Sequence, residues 1–246
     1  MTDSALEYQG ERVDLAAAFR WAARLDLHEG VANHFSLAVE DEGSRFLLNP
    51  NQSHFSMIRA SDLLLLDAND PMTLEQPDAP DATAWGLHGS LHRRCPHVRC
   101  ALHVHSTYST VLASLADSTL PAIDQNAAMF FERVVIDENF GGLAFESEGE
   151  RCAKMFNDPK IQVMVMGNHG IMVVGDNVSE AFNRLYYFEK AAKNYILALH
   201  TGRPLRIMSD EIARKVADGL DDYYGDYKHF GRLKEILDRE GSDYAS

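Results

Sequence analysis

Cysteine is scarce in this chain of 246 residues, and the three present, Cys95, Cys100 and Cys152, are not spaced for pairing. They are odd in number, form no Cys-x-x-Cys, and lie in helix- or strand-like surroundings. The expectation is reduced thiols in a cytoplasmic protein rather than a disulfide framework. Positive charge is also short: 23 Lys and Arg stand against 37 Asp and Glu, for a formal net charge of −14. Non-specific nucleic-acid binding needs a basic footprint, so that class is excluded. Long apolar runs are missing. Stretches such as Leu63–Leu66 and Val163–Met166 fall far short of the roughly 20 residues of a membrane span. The opening residues, Met1-Thr-Asp-Ser-Ala-Leu-Glu7, hold neither a basic nor an apolar segment, so no signal peptide is expected. No internal repeat or low-complexity tract is visible.

What is present is an ordinary globular composition, 46% hydrophobic and 24% charged, enough to build a core in one large domain or two small ones. The stretch that demands a chemical reason is Cys100-Ala-Leu-His-Val-His-Ser-Thr-Tyr-Ser109. Val98, Leu102 and Val104 read as a strand, and side chains on a strand alternate faces, so His103 and His105 share one. Two neutral imidazoles side by side are half of a site for a borderline divalent cation. The plainer reading is a polar sheet face with hydrogen-bonded histidines. A third histidine, His169, falls in Gly167-Asn-His-Gly170, a tight turn between the apolar runs 161–166 and 171–174, and strand ends are where sites are displayed.

Taken in order, residues 14–28 read as a helix, with Asp14 as N-cap, a stripe of Leu15, Ala18, Phe19, Ala22 and Leu25, and Gly30 at C′. A loop over 30–36 then leads into a strand over Leu37–Glu40. The turn at Asp41–Ser44 makes a hairpin with Arg45–Asn49. Leu63–Asp67 is a buried strand, and 68–82, with Pro71, Pro77 and Pro80, is loop. A helix over 83–94, stopped by Pro96, carries His88 and His92 on one face. Gly89 occupies the place of a metalloprotease glutamate, and His92 is expected at the surface. Ser106 caps a helix to about Leu115, which puts Tyr108 just after the two histidines. Val134–Ile136 reads as a strand, Gly141-Gly142 as a turn and 146–157 as a helix. The longest helix is capped by Asn177 or Ser179 and runs to about His200. The tail, 205–246, is polar, with Tyr223, Tyr224, Tyr227 and Phe230. It is expected to pack on the surface or on another subunit.

His103-x-His105, Gly167-Asn-His-Gly170 and the helix opening Ser179-Glu-Ala together resemble the class II aldolase and adducin family. So do Asn33-His-Phe-Ser36, Leu47-Leu-Asn-Pro50 and the helix holding His88 and Pro96. The resemblance covers about 12–204. It implies an α/β fold, a three-layer α/β/α sandwich around a central, largely antiparallel sheet, assembled as a fourfold homotetramer with sites between subunits. Residues 1–204 would form this domain and 205–246 the tail. It also implies that His103, His105 and His169 hold a divalent metal, zinc with manganese and iron as alternatives. Such an ion stabilises an enediolate-like intermediate as a Lewis acid.

Several positions depart from the sugar-phosphate aldolases that the chain resembles. Their acid/base glutamate, four residues before the helix histidine, is here Ala84. Their phosphate loop Gly-Asn-x-Ser is Asn33-His34-Phe35-Ser36, their Thr-Gly is Asn51-Gln52, and their Ser-Ser is Ala82-Thr83. This pattern sits nearer the adducin-like branch, without a long basic tail. The expected activity is a metal-dependent lyase, aldolase or decarboxylase, for a non-phosphorylated hydroxy or oxo acid or carbonyl compound. Tyr108, Glu132 and His34 are the candidates for moving a proton. Asn33, Ser36, Asn51, Gln52, Thr83 and His88 are the candidates for binding substrate. Decarboxylation needs no base to begin, only a proton returned at the end, so loss of the glutamate tilts the expectation that way. The alternatives are a non-catalytic adducin-like oligomeric module and an iron-dependent oxygenase using the same three histidines. A small molecule is the expected partner, with no nucleic acid and no membrane.

Overall fold

The computed structural model describes residues 7–40, 42–142, 146–224 and 228–246. Asp41 of the expected turn, Tyr227, and residues 1–6 lie outside the described residues, as does the side chain of Tyr224.

The first helix, α1 (Gln9–Arg24), starts earlier and ends earlier than its apolar stripe suggests. Tyr8 sits in the left-handed region at φ 60, and its carbonyl takes the amide of Arg12, so the helix is under way before Asp14. Asp14 is therefore not a cap; its carboxylate pairs with Lys234. At the other end Asp26, at φ 56, takes the left-handed C′ position expected of Gly30. The amides of Asp26 and Leu27 close back on Ala23 and Ala22, the paired bonds of a Schellman ending. Gly30 (φ 53) is a second left-handed residue in the loop that follows.

That loop is short, because the first strand, β1 (His34–Ala38), begins three residues before the expected one. Antiparallel pairing of Ser36, Leu37 and Ala38 with β2 (Arg45–Leu48), and on its other side with β4 (Cys100–Val104), holds Asn33-His-Phe-Ser36 extended. Strand β3 (Leu64–Asp67) pairs with β2. Strands β5 (Val134–Asp137), β6 (Val163–Met166) and β7 (Gly170–Gly175) complete a mixed seven-stranded sheet in the order β3-β2-β1-β4-β7-β6-β5. The β5–β6 pair is parallel and the other pairs are antiparallel.

Period-two alternation gives this sheet two separate cores. Phe35, Leu37, Cys100, Leu102, Val104, Ile171 and Val173 pack with α1 and with α6 (Val178–His200). The opposite faces, Ala101, Met164, Met172 and Val174, pack under α2 (Ala82–Arg94) and α5 (Glu146–Lys154). The short helices α3 (Thr107–Ala113) and α4 (Gln125–Ala128) lie between β4 and β5 in the chain. Helix α5 ends at Lys154, short of the expected 157. Asn177 caps α6 by accepting from the amide of Glu180, as its position suggests. Ser106 precedes α3 but does not cap it; its hydroxyl donates to Glu189. The tail forms α7 (Asp210–Tyr224) and α8 (His229–Arg239), and Phe230, Leu233, Leu237 and Tyr244 join the α1–α6 core.

All three cysteines are buried and unpaired, and burial pushes the Cys152 thiol up to about 12. Among the described residues no helix is long and apolar enough to cross a membrane.

Helices α2 and α5 touch backbone to backbone at Gly149. A Cβ there would meet the Gly86 carbonyl oxygen at 1.9 Å and Ser90 Oγ at 2.9 Å. Gly149→Ala must push the two helices apart. It is expected to lower stability by about 3 kcal/mol or more, read as a fall in the thermal midpoint, whereas Gly219→Ala, with open space around it, leaves the midpoint unchanged or raised.

Candidate metal centre

Strand β4 carries His103 in the middle of the sheet, paired with His34 on one side and Met172 on the other. His105 follows just past the strand end. His169 arrives from the β6–β7 turn, where Asn168 adopts φ 58 and the His169 amide closes on the Met166 carbonyl. Gly170 lets the turn press against His105: a Cβ there would meet the Val104 carbonyl oxygen at 2.5 Å and His105 Cδ2 at 2.7 Å. The three rings form a near-equilateral triangle, with centroids 4.8–4.9 Å apart. One nitrogen from each lies within 4.8 Å of the others.

The outer hydrogen bonds settle which nitrogens face inward. His103 Nδ1 is 3.0 Å from the Ile171 carbonyl, which can only accept, so Nδ1 carries the hydrogen. His105 Nδ1 is 2.5 Å from the Glu29 carboxylate and is a donor for the same reason. In the neutral rings the two Nε2 atoms therefore present lone pairs to each other at 3.0 Å. That contact is not a hydrogen bond; it is repulsive unless a cation lies between the rings. Carbonyl and carboxylate acceptors behind the ring are also the outer shell that ligating histidines have. The residues fit a divalent metal. Burial, and then the neighbouring rings, holds His103 well below the ordinary histidine range, and burial takes His169 down to about 4. Both are uncharged at neutral pH, the form that ligates.

Of the other residues singled out from sequence, the structure brings some to the triad and not others. Asn33 ties the approach loop to it, its Oδ1 accepting from the amides of Glu29 (2.7 Å) and His105 (3.3 Å). Because that oxygen is committed, Nδ2 is left buried with no partner. The His34 ring stacks on His103, centroids 4.8 Å apart. Behind it runs a buried chain: His34 Nδ1 to His88 Nε2 (2.8 Å), His88 Nδ1 to Ser36 Oγ (2.5 Å), and Ser36 Oγ to His92 Nε2 (2.7 Å).

Asn51 and Gln52 lie exposed in the turn after β2, and Thr83 is spent on the start of α2, its hydroxyl donating to Asp81 at 2.5 Å. None of the three makes a hydrogen bond to the triad among the described residues. Tyr108 lies with its ring 5.2 Å from Lys193 Nζ, lining a cavity of ≈190 Å³ with Leu27, Tyr186 and Lys190. Glu132, at φ 59, has its carboxylate held by Arg214 at 2.6 Å. Among the described residues neither Tyr108 nor Glu132 has a hydrogen bond or ring contact with the three histidines. Ala84 buries its methyl beside Phe46, Leu48 and Trp85.

Sequence reasoning missed Glu29, Phe140, whose ring lies 5.4 Å from His169, and the inward position of His92, which is fully buried against Phe46. The i, i+4 spacing with His88 was the available signal for His92. Only the fold brings Glu29 and Phe140 to the site.

The model for the class II aldolase and adducin N-terminal domain matches residues 13–196. The chain belongs to the class II aldolase and adducin family. Within it, the chain is 27% identical over 233 residues to the decarboxylase NovR of Streptomyces niveus, an alignment covering 94% of this chain and 85% of that protein. It is 29% identical over 168 residues to a Streptomyces roseochromogenus protein named 4-hydroxy-3-prenylphenylpyruvate oxygenase/4-hydroxy-3-prenylbenzoate synthase, covering 68% of this chain and 60% of that one. The crystal structure of an aldolase II superfamily protein from Pseudomonas syringae superposes with a TM-score of 0.85 at 28% identity, over 99% of this chain and 98% of that one.

Burial, and then the nearby Arg99 charge, drops the His92 pKa from 6.5 to about 3, against a smaller opposing contribution from the Val98 backbone. The unfolded chain binds the proton that folded His92 refuses, so this contribution to stability is complete above pH 6.5 and declines as pH falls toward 3. In metal-free protein the slope from this one group is about 1.4 kcal/mol per pH unit. His92→Gln is expected to remove that slope. Urea midpoints from pH 7 to 5 should converge, the wild type losing about 2 kcal/mol more than the variant.

Proposed function

We propose that this protein is a divalent-metal-dependent carbon–carbon lyase for a non-phosphorylated hydroxy or oxo acid, with decarboxylation favoured over aldol cleavage. His103, His105 and His169 are the metal ligands in this reading, with zinc first and manganese or iron as alternatives. The observation that carries it is the opposition of two Nε2 lone pairs at 3.0 Å, each fixed by an acceptor behind its ring. When bound, the ion supplies Lewis-acid stabilisation of the negative charge that bond cleavage leaves behind. The enzyme acts as a homotetramer in this reading. Its frame is a three-layer α/β/α sandwich with a largely antiparallel sheet, which the two cores on opposite faces of β4 and β7 support.

The remaining steps belong to the chain's own side chains. Glu29 and the Ile171 carbonyl hold the ligand rings in the ligating tautomer. Asn33 offers an unpaired Nδ2 donor to a substrate oxygen. Of the three proton candidates, His34 is the one whose ring lies against the triad. Ala84 moves no proton, in keeping with a reaction that needs no base to begin. The resemblance to a named decarboxylase along nearly the whole chain supports the same choice. A second reading, iron at the same site with oxygen as co-substrate, is favoured by one observation, the oxygenase name of the Streptomyces roseochromogenus relative.

Elemental analysis of the purified protein should find about one zinc, manganese or iron per chain. The His103→Ala, His169→Ala double variant should lose it with its fold intact. A protein that takes up no metal even with excess ion would refute the lyase and leave an assembly module. Release of CO2 from a panel of hydroxy and oxo acids without oxygen supports the lyase; release that requires oxygen uptake and iron supports the oxygenase. Glu29→Ala should weaken metal binding roughly 10- to 100-fold in a chelator competition, since it removes the acceptor behind His105.

A further inference from the structure

His105 stands outside the ladders that fix His103. The pairs beside β4 end at His34–His103 on one edge and at Val104–Ile171 on the other. Helix α3 opens at Thr107, so the chain turns from strand to helix within two residues, with His105 at the corner. A metal accepts ligand distances within about 0.2 Å of their ordinary values. The angle at which α3 leaves the strand therefore decides whether the His105 ring can ligate. The holds on His105 from the approach loop are light. Its amide reaches Asn33 Oδ1 at 3.3 Å, and its ring partner, the Glu29 side chain, is 65% exposed.

Beyond His105 the hold is stronger, and it comes from another helix. A helix start leaves its first amides without partners, and a serine at the N-cap ordinarily accepts from the second or third of them. Ser106 occupies the N-cap, but its hydroxyl donates instead, to Glu189 Oε2 at 2.8 Å. The amides it would have served go to the same carboxylate, Tyr108 N to Oε1 and Ser109 N to Oε2, both at 2.9 Å. Ser109 Oγ adds a fourth bond, to Oε2 at 2.6 Å. One carboxylate thus takes four donors from the turn after His105, about as many as its lone pairs can serve. Glu189 is itself buried within α6, beside the fully buried Leu185, Phe188 and Ala192. A local cap would tie α3 only to itself. This one ties the corner at His105 to α6.

We propose that Glu189 is a positioning residue of the metal centre, clamping the first turn of α3 so that His105 meets the same ion as His103 and His169. This role rests on the metal reading of the three histidines. Glu189 makes no hydrogen bond to any of them among the described residues, so it acts through the turn alone. The clamp bears on His105 and spares His103, which the ladder holds independently. Glu189→Gln keeps the size of the side chain, but an amide nitrogen has no lone pair to offer. The amide of Tyr108 or of Ser109 would then face another donor, and the turn would shift.

The test uses the full-length protein, zinc-loaded and metal-free. Chelator competition should show zinc held roughly 10- to 100-fold more weakly by Glu189→Gln, the range for partners standing behind a ligand. Ser109→Ala, which removes one donor and keeps the carboxylate, should weaken zinc in the same direction by a smaller factor. It carries the comparison should Glu189→Gln not fold. Asn177→Ala, which removes the cap at the start of the same helix, should lower the thermal midpoint and leave zinc affinity within about twofold of wild type. In metal-free protein labelled with 15N-histidine, the ring N–H signals of His103 and His105 are assigned by their loss in His103→Gln and His105→Gln. With the clamp altered, the His105 signal should shift or broaden while that of His103 stays in place. Zinc held at wild-type strength by both clamp variants overturns the proposal, as does a His105 signal that does not move or a His103 signal that moves as far. An Asn177→Ala protein that loses zinc as strongly makes the loss a matter of stability and overturns it too. A wild-type protein that takes up no zinc even with excess ion overturns the metal reading and this role with it.

Discussion

The polar interior depends on the register of β4 between β1 and β7. Pairing His103 with His34 on one side and Met172 on the other fixes which side chains meet on the α2 face. A slip of one residue would turn His103 into the α1–α6 core and bring Leu102 in its place. The same register carries His105 past the strand end, where Glu29 and the His169 turn can reach it. The placement of His103 is thus inherited from the ladder itself, and that of His105 and His169 from the strand ends it fixes.

Two shells of different character surround the triad. One is made of fixed acceptors, the Ile171 carbonyl and the Glu29 carboxylate, which leave the inward nitrogens bare. The other is made of donors and rings from β1 and α2, with Asn33, His34, Ser36, His88 and His92 buried together. The acceptors fix which nitrogens of His103 and His105 face inward, while burial keeps His103 and His169 uncharged. The second explains why a face that should be apolar, by the pattern of its neighbours, is not.

Much of this was legible before folding. The period-two spacing of His103 and His105 and the glycine-flanked His169 pointed to one site, and the three rings do converge. Strands over 45–48, 64–67, 100–104 and 163–166 followed from apolar runs and turns. The limits of α1 did not, because a left-handed Tyr8 and Asp26 set them; tyrosine does not advertise that conformation, and Asp26 was passed over for the glycine at 30. The strand at His34–Ala38 was hidden because its Asn, His and Ser look like loop residues. Only pairing on both edges makes them extended. His92 looked like a surface residue because polarity stood in for exposure.

The methyl of Ala84 packs with Phe46, Leu48 and Trp85, on a helix that supplies none of the three ligand histidines. The three histidines come from β4 with its end and from the β6–β7 turn, while Ala84, the position that the resemblance matches to the aldolase glutamate, belongs to α2. In the proposed reading, cation binding therefore rests on elements other than the helix where the resemblance places the aldolase base. On this reading, a change of reaction can be confined to one helix face, with the strands that carry the histidines left as they are.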